Sequence, residues 1–256
     1  MTPKTAVVTG SSRGIGRAIA LRLAKDGARL VLAARDAAAL QAVAAEITHA
    51  GGAAASIALD LREPANPARL AQFALDTYGS LDIVINNAGA TKRGEFESLT
   101  DDDWQDGFAL KFFGAVRLTR AAWPHLKASK GSVVNIAGIG GRTPGPQFSI
   151  GGSVNAAMLS FTKAMADTGI RDGVQVNAIN PGAVRTERLA GRLNAVATLK
   201  GIGPAEAERH FVQESGITRI GEPQDIAALV AFLTGPEGRF LHGSLIDMDG
   251  GQTKTL

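Results

Sequence analysis

The 256-residue chain contains no cysteine, which excludes disulfides and thiolate-bound metal. It has no apolar run near the ~20 residues that a membrane-crossing helix needs. It also lacks a charge bias: 27 Lys and Arg against 24 Asp and Glu leave a formal +3. The basic residues are scattered, so no concentrated patch for nucleic acid is expected. Neither nucleic acid nor a membrane is therefore expected as a partner. Only Lys4 carries charge before the first strand-like run, and no cleavable apolar segment stands there. A cytoplasmic location is expected on that basis. No internal repeat or low-complexity linker divides the chain, and residues 1–256 are expected to form a single α/β domain.

What is present is a regular alternation. Thr5-Ala6-Val7-Val8-Thr9 is a short run suited to a buried strand, and Arg17 to Ala24 shows helical spacing. Between them lies Gly10-Ser11-Ser12-Arg13-Gly14-Ile15-Gly16. Strand, glycine turn and helix together form the context of a phosphate-binding loop, with backbone amides and a helix N-terminus facing a diphosphate. An ordinary strand-to-helix turn is the plainer reading. Further strands are predicted at 29–33, 54–59, 81–85, 132–136, 174–179 and 245–248. Helices are predicted at about 36–50, ending near Tyr78, at 102–127, and at 222–233. This βαβα order predicts a Rossmann-type, doubly wound, seven-stranded parallel sheet with helices on both faces. The turn-rich stretch 138–146 is expected to be a loop. The connection from Ala183 to about Phe211 is long enough to suggest a substrate-side lid.

Several ordered motifs then bring the chain close to a known family. They are the glycine turn, Asp60-Leu61, Asn86-Asn87-Ala88-Gly89, Asn177 with Pro181-Gly182, and Asp249-Gly250-Gly251. In this order they resemble the single-domain short-chain dehydrogenases/reductases over essentially the whole chain. The resemblance implies a nicotinamide dinucleotide cofactor and an oxidoreductase acting on a small molecule. Gly10, Ser12, Arg13, Gly14, Ile15 and Gly16 would hold the phosphates. Asp60 and Leu61 would meet the adenine, and Asn87, Ala88 and Gly89 the adenosine ribose and diphosphate side. Pro181, Gly182, Val184 and Thr186 would hold the nicotinamide carboxamide and diphosphate. Asn86-Asn87 is equally a strand-end turn that caps backbone groups, and Thr186 is equally a helix N-cap. At the end of the second strand an acid would favour NAD(H). Ala34-Arg35 stands there instead, and Arg13 lies in the glycine turn. Two guanidinium groups suit a 2′-phosphate, so NADP(H) is expected over NAD(H), with Asp36 one place late for the acid.

At the reactive end the family uses asparagine, serine, tyrosine and lysine. Threaded onto that pattern, the four positions are Lys111, Gly138, Gly151 and Asn155. Lysine and asparagine have in effect changed places, so the cofactor-side charge is expected from Lys111 with Asn155 opposite. Lys111 snorkelling to solvent is the plainer reading. The two glycines supply no acid and are expected to enlarge the pocket. Ser149 and Ser153 are expected to point away, and His210, beyond the long connection, is a remote acid. Two readings stay open: an NADP(H)-dependent enzyme with a rebuilt site, or a catalytically inactive NADP(H)-binding sensor or scaffold. The resemblance also implies a homotetramer or homodimer, with apolar surface from Trp104, Phe108, Phe112, Leu118 and Trp123.

Overall fold

The computed structural model describes residues 3–254. Its β-branched runs become seven parallel strands: β1 (Thr5–Thr9), β2 (Arg29–Ala34), β3 (Ala53–Ala58), β4 (Ile83–Asn86), β5 (Ser132–Ile136), β6 (Gln175–Pro181) and β7 (Leu245–Met248). They lie in the order β3-β2-β1-β4-β5-β6-β7. Alternation along β1 shows why both faces must be covered. Ala6 and Val8 enter one apolar cluster, and Val7 enters the other. On the first face pack α1 (Gly14–Lys25), α2 (Ala37–His49) and α9 (Pro223–Thr234). On the second pack α3 (Asn66–Tyr78) and α5 (Gly114–Ser129). The doubly wound parallel sheet expected from the alternation is the sheet observed. Strand order reverses between β1 and β4, which opens a crevice at their carboxyl ends.

A buried polar ladder fixes the floor of that crevice. The Asn86 amide donates to Asn135 Oδ1 at 2.8 Å and to Thr119 Oγ1 at 3.1 Å. The Asn135 amide donates to Thr162 Oγ1 at 2.9 Å. Thr119 lies on α5 and Thr162 on α6 (Ser149–Asp172), so the ladder ties two strands to two helices. Buried groups of this kind hold a fixed arrangement because an unpaired partner is costly.

Two expectations need correction. The helix expected at 102–127 is a stack of α4 (Asp101–Gly107), a π-helical turn (Phe108–Phe113) and α5, and Pro124 falls inside α5. The wide turn re-aims the side chains that follow, a feature often found at functional sites. The connection from Ala183 to Phe211 is not an extended loop. It folds into α7 (Glu187–Lys200) and α8 (Pro204–Ser215). Leu189, Leu193 and Ala197 form a thin buried stripe at four-residue spacing, and Ile217 and Ile220 close the same small cluster. Gly201, at φ 64°, ends α7, and Pro204 opens α8. The stretch 138–146 does run as a tight turn, with a single 3₁₀ turn at Ile139–Gly141.

Candidate active site

The cofactor half of the crevice is built on glycine. Gly10 (φ 65°) and Gly14 (φ 55°) occupy left-handed backbone that glycine adopts without cost. A Cβ on Gly16 would overlap the Gly10 carbonyl and the Asn87 amide, so the turn closes only around a bare backbone. Helix α1 has no acidic residue in its first turn and no side-chain cap, which leaves its N-terminal amides and dipole available to an anion. Thr9 Oγ1 staples this turn to β4. It accepts from the amides of Asn87 (2.9 Å) and Ala88 (3.0 Å) and donates to the Ile85 carbonyl. The Asn87 amide donates to the carbonyls of Thr9 and Gly10, so its side chain braces the turn. Across the crevice, Thr186 stands at the N-cap of α7 without a side-chain capping bond. Its methyl lies 3.4 Å from where a Gly14 Cβ would be. Gly182 packs on Asp249, and Val184 bridges to Gly221. Pro181 ends β6.

The end of the crevice expected to take the adenosine carries Arg35 and Arg13. Arg35 is exposed at the end of β2. Asp36 is committed elsewhere, because its Oδ1 accepts from the Ala39 amide and caps α2. Arg13 pairs with Glu187 at 2.8 Å, with both side chains about three-quarters exposed. Such a pair contributes little and gives way readily to a better anion. Asp60 Oδ1 accepts from the Arg62 amide, and Leu61 is buried against Gly114. Ser12 and Ile15 sit half-buried in the turn.

At the reactive end, Lys111 issues from the π-helical turn and Asn155 from α6, and both meet the end of β5. Lys111 Nζ donates to the Ala137 carbonyl at 2.6 Å. Its stem crosses Gly89, where a Cβ would lie 2.8 Å from Cδ. Burial, reinforced by the nearby Arg188 charge, lowers the Lys111 pKa to about 7. Asn155 is buried, its Oδ1 has no partner, and its Nδ2 lies 3.0 Å from a Cβ built on Gly138. Lysine and asparagine thus converge on two consecutive residues, Ala137 and Gly138.

The glycines do not enlarge the pocket, contrary to expectation. Gly138 has φ 148°, a conformation that strains any side chain, and the Asn155 amide fills the space beside it. At Gly151 the space belongs to Phe148. A Cβ there would lie 2.7 Å from Phe148 Cδ2 and closer still to Cε2 and Cζ. Phe148 also presses on Gly140, and the Arg93 guanidinium stacks on its ring at 3.9 Å from the centroid. Helical spacing does not signal this contact, because Phe148 is the non-helical N-cap of α6, at φ −130°. Ser149 and Ser153 line a separate shallow concavity with Gly152 and Pro144, away from Gly151. His210 turns towards Glu206 on its own helix, 3.7 Å away. The single tyrosine, Tyr78, ends α3 beside Arg29 at the amino end of β2, the end of the strands opposite to this site.

Arginines on the rim were also missed. Arg188, on α7, donates to the Gly89 carbonyl at 2.9 Å. Arg93, after β4, lies close enough to Arg188 and Arg192 for their charges to lower its pKa, although desolvation is the larger cause. Arg188 and Arg192 are one turn apart on α7, and no signal in the sequence joins Arg93 to them, because that approach is made by folding.

Comparison with known proteins fits this geometry. Residues 4–195 match the family model described as short chain dehydrogenase. An oxidoreductase of Mycobacterium tuberculosis is 38% identical over 252 residues, covering 98% of this chain and 92% of its own. The structure of an L-sorbose reductase from Gluconobacter frateurii, complexed with NADPH and L-sorbose, superposes with a TM-score of 0.96 at 31% identity, covering 100% of this chain and 98% of that one. An NADPH-bound short-chain oxidoreductase from Pseudomonas aeruginosa PAO1, described as containing an atypical catalytic centre, gives 0.91 at 27% identity, covering 99% and 98%.

Proposed function

This chain belongs to the short-chain dehydrogenase/reductase family, and from that premise we propose that it is an NADP(H)-dependent oxidoreductase that interconverts a carbonyl and an alcohol through a rebuilt active site. The observation that carries this reading is Lys111 Nζ, held on the Ala137 carbonyl beside Gly138 with a pKa lowered to about 7. The glycine turn and the open N-terminus of α1 suit the diphosphate, and Arg13 and Arg35 suit the 2′-phosphate. The L-sorbose reductase and the Pseudomonas oxidoreductase, both NADPH complexes, support the same choice. When bound, the nicotinamide supplies or accepts the hydride. Lys111 gives a proton to the substrate oxygen in reduction and takes one in oxidation. An acid or base with a pKa near the working pH is the efficient one. Asn155 packs beside Gly138 and leaves one buried oxygen for a donor. The relative with an atypical catalytic centre makes a departure from the usual four residues a reasonable expectation in this fold.

The pH dependence follows from the sign. Reduction needs the ammonium and should fall as pH rises through about 7. Oxidation needs the free amine and should rise over the same range. Initial rates in both directions from pH 5.5 to 9 test this, and a flat profile with measurable turnover rules out Lys111 as the proton carrier. Cofactor choice is tested by nicotinamide fluorescence. Arg35→Ala is expected to weaken NADPH about 10-fold or more while NADH changes little, in line with the ~1.5–3 kcal/mol of a charge-assisted bond. Equal losses for both cofactors would count against the 2′-phosphate assignment.

A second reading is a sensor or scaffold that binds NADP(H) without turnover. Phe148, lodged where a phenol would stand, favours it. Tight NADPH binding with no oxidation across a broad carbonyl panel would select it. The same resemblance suggests a homotetramer. Phe113 (44% exposed), Ile170 (72%) and Phe240 (101%) lie on α5's entry, on α6 and before β7. Light scattering showing a monomer would reject the assembly.

A further inference from the structure

The reactive end is ringed by positive side chains. Lys111 passes over Gly89, the Gly89 carbonyl accepts from Arg188, and Arg188 and Arg192 repel Arg93. Arg93 lies over the Phe148 ring, 3.9 Å from its centroid, and Phe148 lies on Gly151. This series of neighbours links Lys111 to Gly151. Carboxylates near this ring are engaged elsewhere. Glu187 pairs with Arg13, Asp103 with Lys92, and Glu95 accepts from Gln147. Among the described residues, Arg93, Arg188 and Arg192 make no ion pair.

Three guanidinium groups crowded together without an acid are unfavourable for the protein alone. Desolvation is the largest cause lowering both Arg93 and Arg188, with neighbouring cations second. Proteins keep such an arrangement where an anion relieves it. Arg188 stands two residues beyond Thr186, towards the cofactor side, and a diphosphate could account for it in part. Arg93 is different. It follows β4, and it stacks on the ring that covers Gly151. A guanidinium placed over an aromatic face and making no ion pair has N–H groups to offer an oxyanion, and its fork matches a carboxylate in two parallel bonds.

We propose that the substrate is an oxo or hydroxy acid whose carboxylate is gripped by Arg93 at the rim, with Arg188 and Arg192 of α7 completing the cationic wall. The reacting carbon then sits inward, under Lys111. Arg93 is a specificity-determining residue and takes no part in proton transfer. For its reaction the inference rests on the NADP(H) oxidoreductase reading, but its binding arm does not.

The experiment has two arms. In the first, small oxo acids (2-oxo, 3-oxo and 4-oxo, straight-chain), their methyl esters and the matching oxoalkyl phosphates are titrated into the protein by calorimetry, with and without NADPH. At least one acid is expected to bind about 10-fold or more tightly than its ester, with affinity falling as salt rises. Arg93→Gln should remove that preference, and Arg93→Lys should keep part of it. In the second, kcat/KM with NADPH is compared for the same pairs in wild type and Arg93→Gln, with Arg192→Gln as an independent variant of an exposed residue. The acid preference should collapse in both. Phosphates preferred over acids by the same Arg93-dependent margin would overturn the carboxylate assignment. Esters binding as well as acids, or a preference that survives Arg93→Gln and Arg192→Gln, would overturn the inference altogether. Absence of NADPH binding with an intact, Arg93-dependent acid preference would instead remove the oxidoreductase reading and leave the anion site standing.

Discussion

Lys111→Met is expected to give a protein that folds more stably at neutral pH and turns over roughly 100-fold or more slowly. Proton transfer by a positioned group is worth about 10²–10⁴-fold. The stability gain comes from the same burial that tunes the amine. In the unfolded chain Lys111 ionises near its ordinary value of 10.5, and in the folded chain near about 7. Between those values the unfolded chain binds more protons, so stability rises with pH across that window. At and below about pH 7 the ammonium is charged in both states, and its burial costs the folded state in full. The gain from methionine should therefore be largest at pH 7 and below and shrink as pH climbs towards 10.5. A gain of roughly 1–3 kcal/mol is expected after allowance for solvent access and the Ala137 carbonyl. Urea unfolding at pH 6, 7.5 and 9 reads both sign and size. Lys111→Arg separates charge from proton transfer, because a guanidinium keeps the cation but does not give up a proton at these pH values. It should retain cofactor binding and lose turnover. Equal activity in Lys111→Arg would refute the proton-transfer role.

Gly151→Ala is expected to destabilise the protein, although alanine favours a helix over glycine by about 1 kcal/mol. The new methyl collides with the Phe148 ring, which Gly140 and Arg93 hold from other sides. Overpacking of this kind costs roughly 1–3 kcal/mol. The decisive measurement is a double-mutant cycle. In a Phe148→Ala background the same Gly151→Ala change should become neutral or stabilising. Additive effects would show that the ring does not occupy that space in solution. The same collision bears on any attempt to return a phenol. Gly151→Tyr alone should unseat Phe148 and fail to gain activity. Serine at 138 would have to adopt φ 148° and displace the Asn155 amide. The glycines and their neighbours are a matched set, and changing one without the others breaks the packing of the rest.

The sheet was legible because its evidence is local. Runs such as Thr5–Thr9 and Ser132–Ile136 are too apolar to face water, and the glycine turn between β1 and α1 admits few alternatives. The order of motifs also picked out Lys111, Gly138 and Asn155, which the structure brings together at the end of β5. What stayed hidden was tertiary. Phe148 belongs to the N-cap of α6 and turns back onto its own helix, which no periodicity reveals. Helices α7 and α8 read as a connection because their apolar stripe is thin and their other faces are polar. Arg93 precedes Arg188 and Arg192 by almost a hundred residues, and only folding brings it to that pair, one turn apart on α7. The role of Asn87 was legible in kind, because a strand-end asparagine commonly serves backbone carbonyls, and the bonds to Thr9 and Gly10 are of that kind.

Helix α7 is capped by Thr186, which leans on the glycine turn, and it carries Arg188, bonded to the Gly89 carbonyl, with Arg192 one turn further on. A rigid rod touching two ligands makes them thermodynamic partners. Whatever free energy one ligand gains by fixing the rod is lent to the other, and the loan is the same in both directions. Nucleotide and acid should therefore each tighten the other's grip by an equal factor.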